Sequence, residues 1–305
     1  MPSSMNSGLS KNPYAARMAD FQGLLFNSIR PKQNLKHYDS VSFFSLLLGD
    51  QTVPFQEKLH ELRFERLGKR KTVLELGCSN AHFLGEVAHA HPEAAFFGVD
   101  WKYKVLWKGA QFLSQFHLKN LVLLRGLAEL AACYSDEQSL DEVWVLFPDP
   151  WAKKGQQKKR LINSAFLLSM SKALKPSGRI LFKTDHPGYF QSVLALFGRN
   201  AEIAFDYDAR KKQVDPTVAS YSLKQNLVRQ TETTEIAQNE IDNLLKHYEL
   251  GLVSTDFHAD ITSKRLDPKT VGFLAETNTL FEKSFIREGL PIYFIEILTV
   301  PRSSA

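Results

Sequence analysis

The chain has 305 residues, 44% of them hydrophobic and 23% charged, which supports one large or two modest globular domains and excludes a disordered or fibrous protein. A formal charge of +5 and a pI near 9.0 suit a polyanionic partner without requiring one. No apolar run approaches the roughly 20 residues of a membrane span. The first twenty residues lack a signal-peptide centre, and two distant cysteines, Cys78 and Cys133, give no disulfide framework or metal-ligand spacing, so a cytoplasmic chain with no membrane partner is expected.

Residues 1–36 read as a flexible tail, and 37–70, with the Phe/Leu-rich patch Val41 to Leu48, as a helical extension. From Thr72 onward, short apolar runs alternate with longer amphipathic ones, the pattern of a sheet covered on both faces. Strands are expected over Thr72–Leu76, Ala95–Asp100, Leu121–Leu124, Val143–Phe147 and Arg179–Lys183. Helices are expected from about Ala81 to Ala90, from Lys102 to His117 and from Leu161 to Leu174, the last stopped by Pro176 and Gly178. Polar residues 206–267 read as an inserted, mainly helical segment. A helix over Pro268–Glu288 and a strand over Pro291–Ile297 then complete a core domain spanning 71–205 and 268–300. This order predicts a parallel, right-handedly connected sheet with its ligand site at the strand carboxyl ends.

Chemistry concentrates at three places along that core. Glu75-Leu76-Gly77-Cys78-Ser79-Asn80-Ala81 forms the first strand-to-helix turn, where small residues let backbone amides approach a ligand. Asp100 closes the second strand, where a carboxylate accepts both hydroxyls of a ribose or caps the next helix. A single glycine at the turn argues against a pyrophosphate and suits a cofactor without phosphate. Phe147-Pro148-Asp149-Pro150-Trp151 follows the fourth strand. Its two prolines stiffen the backbone on both sides of Asp149, and Trp151 either stacks on a base or plugs the core. Beyond it lie Lys153, Lys154, Lys158, Lys159 and Arg160 without an intervening acid, a field suited to phosphates and to a nucleic-acid substrate.

Glu-x-Gly at the first turn, Gly98-Val99-Asp100, Phe147-Pro148-Asp149-Pro150-Trp151, Lys183-Thr184-Asp185 and Thr279-Leu280-Phe281-Glu282 before Gly289-Leu290-Pro291-Ile292-Tyr293 share their order with one family. Over roughly Thr72 to Gly198 and Thr277 to Ile297, the chain resembles the bacterial tRNA (guanine-N7)-methyltransferases. The resemblance implies an α/β, Rossmann-like class I methyltransferase fold, with a mostly parallel seven-stranded sheet and helices on both faces. It further implies S-adenosylmethionine as cofactor, tRNA as partner and methyl transfer to N7 of a guanine, position 46 of the variable loop. Its motif positions place Glu75, Gly77 and Asp100 at the cofactor, Asp149 and Asp185 at the reacting guanine, and Lys153, Lys154, Asp185, Thr279 and Glu282 at the substrate.

That chemistry needs no proton-abstracting triad. Guanine N7 carries an in-plane lone pair that attacks a sulfonium methyl directly, so placement is the main task. Carboxylates accept the guanine N1–H and N2–H donors and stabilise the positive charge left on the methylated ring. The chain departs from the family at Leu127, where an acidic residue near the adenine is usual and Glu129 is the expected substitute, and at Gly155-Gln156-Gln157 within the basic run. These departures keep open a degenerate relative that binds RNA or a partner without activity, or a methyltransferase with another substrate. Monomer and homodimer are equally compatible with the sequence.

Overall fold

The structure, a computed structural model, describes residues 12–28, 48–65, 68–69, 71–153, 155–199 and 236–300. Most of the Val41 to Leu48 patch, Lys154 and residues 206–235 of the expected insertion lie outside the described residues. Those described fall into two compact units divided between Asp136 and Glu137.

In the first unit, a 3-10 helix over Ala16–Phe21 leads into β1 (Leu25–Asn27), a strand within the stretch expected as a tail. Helix α1 (Thr52–Arg63) precedes a two-stranded hairpin, β2 (Phe64–Glu65) with β3 (Gly68–Lys69). The alternating core follows: β4 (Lys71–Leu76), α2 (His82–Ala90), β5 (Ala94–Asp100), α3 (Tyr103–Leu113) and β6 (Leu121–Arg125). Strands β1, β6, β5 and β4 lie side by side in that order, all pairs parallel. Every residue of β6 is buried, as are Val73 to Leu76 of β4 and Ala94 to Val99 of β5. A parallel sheet covered on both faces requires such near-continuous apolar runs, and this is why these strands are legible as solid stripes instead of alternations.

β1 is secured by Arg125, a residue only 4% exposed. The guanidinium donates to the Ser28 carbonyl at 2.7 Å and the Trp101 carbonyl at 3.2 Å, and sits 4.1 Å from the Tyr103 ring centroid. Buried guanidinium donors need such acceptors, and the aromatic face adds a cation–π contact.

The second unit begins with β7 (Leu140–Leu146), α4 (Ser164–Ala173), β8 (Leu174–Thr184) and α5 (Pro187–Ala195). It continues with α6 (Gln238–Leu245), β9 (Tyr248–Ser254) and α7 (Phe257–Thr262). Last come α8 (Pro268–Val271), α9 (Phe273–Glu276), α10 (Leu280–Glu288) and β10 (Tyr293–Thr299). The strand order is β7-β8-β10-β9, with β7 and β8 parallel and β10 antiparallel to both of its neighbours.

Besides the strand β1 in the expected tail and the hairpin β2–β3 in the expected helical extension, three further expectations are revised. The two arrays hold eight strands among the described residues where seven were expected, the fold remaining α/β and mostly parallel. Residues 248–254, inside the stretch expected to be mainly helical, form β9. The helix expected over Pro268–Glu288 is three short helices, because Gly272 turns with φ of 56° and Thr277 is extended. No helix among the described residues is long and apolar enough to cross a membrane.

Candidate functional site

The turn after β4 winds tightly: Gly77, Ser79 and Ala81 have φ of 82°, 53° and 52°. Glycine takes this conformation without cost, whereas Ser79 and Ala81 hold it under strain that the surrounding structure must offset. The Gly77 and Cys78 amides donate to the Val99 carbonyl at 2.8 and 3.1 Å, tying the turn to the end of β5. Asp100 completes the tie, one carboxylate oxygen accepting the Ser79 amide at 2.9 Å and the other the Lys102 amide at 2.8 Å. Asp100 thus ties the turn after β4 to the residue that precedes α3.

Gly109 of α3 allows this helix to lie against the turn, since a Cβ there would stand 2.1 Å from the Asn80 carbonyl oxygen. The buried Cys78 thiol is pushed well above its ordinary pKa, first by burial and then by the Glu75 and Asp100 carboxylates. Two carboxylates thus bear on one turn, and among the described residues nothing stands within 4 Å of where a side chain at Gly77 would project. A cationic sulfonium amino acid with ribose hydroxyls fits those two acceptors and that open backbone, so the residues present suit S-adenosylmethionine. Glu129 is exposed, in the first turn of a 3-10 helix over Ala128–Tyr134. The neighbouring Leu127 amide donates to the buried Tyr134 hydroxyl at 3.2 Å, which fixes the loop where an acid was expected.

In the second unit, β7 and β8 run parallel with Leu146 opposite Lys183, and the Phe147 amide donates to the Lys183 carbonyl at 2.9 Å. The Asp149 loop and the Asp185 loop consequently leave neighbouring strands at one level. Phe147 and Trp151 both have positive φ, 52° and 44°, so the loop bends sharply on either side of Asp149. Asp149 is exposed and Asp185 half-buried. Burial raises the Asp185 pKa, opposed by a hydrogen bond from its own backbone, which makes the carboxylate a stronger acceptor.

Thr279 and Glu282 form a capping box at the start of α10. The Glu282 amide donates to the Thr279 hydroxyl at 3.1 Å, and the Thr279 amide to one Glu282 oxygen at 2.8 Å. The other Glu282 oxygen accepts from the Lys183 ammonium at 2.6 Å, with both side chains fully buried. Lys183 also donates to the Leu274 carbonyl at 3.2 Å and lies 3.8 Å from the Phe257 ring centroid, while His258 approaches Glu282 at 3.5 Å. Burial raises the Glu282 pKa, but the Lys183 charge, the nearby His258 ring and the hydrogen bonds from Lys183 and Thr279 outweigh it and hold the group at about 2.

The basic run divides. Lys153 and Lys158 are exposed, and the Lys159 ammonium lies 4.6 Å from the centroid of the half-buried Trp151. Arg160, expected at RNA phosphates, is instead 5% exposed and turned inward, donating to the carbonyls of Pro150 at 2.9 Å and Gly188 at 3.0 Å. Lys183 and Arg160 thus gain roles that sequence reasoning did not assign. The available signal for Lys183 was a lone cation after Ile180-Leu181-Phe182 in a buried strand, where an ammonium demands a partner. For Arg160, the last cation before apolar Leu161 and Ile162, no such signal stood out from the preceding charges.

A family model described as "Putative methyltransferase" matches residues 69–250. A tRNA (guanine-N(7)-)-methyltransferase of Enterococcus faecalis is 37% identical over 44% of this chain and 64% of its own length, just short of two thirds. One of Christiangramia forsetii is 32% identical over 53% of this chain and 78% of its own. Among solved structures, the aminoglycoside resistance methyltransferase NpmB1 aligns at a TM-score of 0.44 and 15% identity, covering 81% of this chain and 93% of that one. With more than half of the chain matched by the family model, and most of a 32%-identical relative covered, the chain belongs to the tRNA (guanine-N7)-methyltransferase family of class I methyltransferases.

Proposed function

We propose that this chain transfers a methyl group to N7 of a guanine in tRNA, at position 46 of the variable loop. S-adenosylmethionine supplies the electrophilic methyl when bound, held by Glu75, Gly77 and Asp100, with Glu129 beside the adenine. Asp149 and Asp185 accept the guanine N1–H and N2–H donors and oppose the positive charge that develops on the ring. No residue needs to remove a proton, since N7 reacts through its lone pair and placement supplies the rate. Thr279 and Glu282 close the guanine pocket through the helix turn that their capping box fixes, and Lys153 and Lys154 meet phosphate.

The observation that carries this reading is the departure of the Asp149 and Asp185 loops at one level from the paired strands β7 and β8. Two carboxylates so displayed match the two donors of one guanine edge. Incubation of the purified chain with labelled S-adenosylmethionine and unmodified bulk tRNA, followed by nucleoside digestion, tests it. The label is expected in 7-methylguanosine and absent when guanine 46 is replaced; label in any other nucleoside refutes the assignment.

A further inference from the structure

Arg160 belongs by sequence to a surface charge run, yet its guanidinium is inside the second unit. It donates through Nε to the Pro150 carbonyl at 2.9 Å and through Nη1 to the Gly188 carbonyl at 3.0 Å. Pro150 is the residue after Asp149, and Gly188 lies three residues beyond Asp185. One rigid, planar cation therefore bridges the two loops that carry the carboxylates, a task for which the fixed fork of arginine is suited and the point charge of lysine is not.

The surroundings hold the fork still. The guanidinium carbon lies 4.9 Å from the Tyr189 ring centroid, and the Tyr189 hydroxyl accepts the Ile162 amide at 2.9 Å. The side chain is thus stacked on a ring anchored two residues further along its own segment. The Asp185 loop is compact against it: a Cβ at Gly188 would meet His186 Cε1 at 3.0 Å, and the His186 Nδ1 accepts the Tyr189 amide at 3.0 Å. On the other side, Pro148 and Pro150 have few torsions to spare, so fixing the Pro150 carbonyl fixes the Asp149 backbone.

We propose that Arg160 is a positioning residue that sets the spacing between the Asp149 and Asp185 carboxylates, and with it the fit to guanine. The catalytic part of this statement rests on the guanine-methylation reading; the spacing part does not. A phosphate-binding arginine would act on tRNA affinity and on its salt dependence, whereas a spacer acts on turnover through the geometry of groups it never touches.

The test compares the full chain with Arg160→Gln and Arg160→Lys. Amide hydrogen exchange, which needs no substrate, is expected to quicken about tenfold in Arg160→Gln in both 147–151 and 184–190 and nowhere else, with Arg160→Lys between the two. Exchange unchanged, or altered in only one of the loops, overturns the proposal. With unmodified tRNA and S-adenosylmethionine, turnover per folded molecule is expected to fall about 100-fold in Arg160→Gln, the order expected of an ångström-scale misplacement. The KM for tRNA and the salt slope of binding should stay within about threefold and about one unit of wild type. A loss confined to tRNA affinity, with a shallower salt slope, makes Arg160 a phosphate contact and overturns the proposal. An inactive wild-type chain refutes the guanine reading instead, and the exchange measurement still decides the spacing role.

Discussion

Lys183 and Glu282 meet at 2.6 Å with no solvent exposure on either side chain, joining the end of β8 to the first turn of α10. Removing one member of such a pair strands a buried charge. Glu282→Gln, which keeps a capping-box side chain, and Lys183→Met are each expected to lower unfolding free energy by about 3–5 kcal/mol. Lys183→Met with Glu282→Leu should recover much of that loss. Urea unfolding of the three variants checks the order.

Acid should destabilise the fold in two windows. Glu282 is held at about 2 against an ordinary 4.5, so its carboxylate contributes fully above 4.5 and the contribution is lost as pH falls toward 2. His186 is lowered from 6.5 to about 4, by burial and then by the Arg160 cation, so its neutral state contributes above 6.5 and the contribution is lost between 6.5 and 4. Each window is worth on the order of 3 kcal/mol. Unfolding measured at pH 7, 5 and 3 should show both steps in wild type and only the upper one in Glu282→Gln.

Asp185→Ala should abolish methyl transfer, by about 100-fold or more, while S-adenosylmethionine affinity by calorimetry stays within about threefold. Because burial raises the Asp185 pKa, wild-type activity should fall on the acid side at a pH above the ordinary 3.8 of aspartate. A parallel loss of cofactor affinity in Asp185→Ala would place the residue elsewhere.

Gly109→Ala puts a methyl group 2.1 Å from the Asn80 carbonyl, and backbone cannot yield as a flexible side chain does. Overpacking of this kind costs about 1–3 kcal/mol, and here it should also weaken S-adenosylmethionine by displacing the 77–81 turn. Denaturation and calorimetry on one preparation measure both effects.

Lys153→Glu and Lys158→Glu alter exposed cations with no part in the loop's internal hydrogen bonds through their side chains among the described contacts. Each should weaken tRNA binding and reduce the slope of log affinity against log salt by about one. Binding that is unchanged at every salt concentration would make both residues ordinary solvated surface.

The parts legible in the sequence were those whose burial is complete. β4, β5 and β6 appear as solid apolar runs because water is excluded from both faces, and their ends fell within a residue or two of expectation. β9 was missed because only Tyr248 and Ser254 of its seven residues are buried, leaving neither stripe nor alternation to read. At the candidate site, Asp149 and Asp185 are proposed from motif order alone, since neither has a local signature of function. Arg160 was misread because composition reports charge and not direction: the same run holds exposed Lys158 and buried Arg160, and only the position of two carbonyls distinguishes them.

Arg125 sets a practical lower limit on how the first unit can be shortened. The apolar pattern that invites trimming begins at Lys71, yet the guanidinium at the end of β6 draws one of its acceptors from Ser28, more than forty residues earlier. A fragment starting at Lys71 would retain every strand-helix alternation and still leave a buried cation short of an oxygen, beside the Trp101 carbonyl that follows Asp100. Any minimal version prepared for ligand binding has to start upstream of β1.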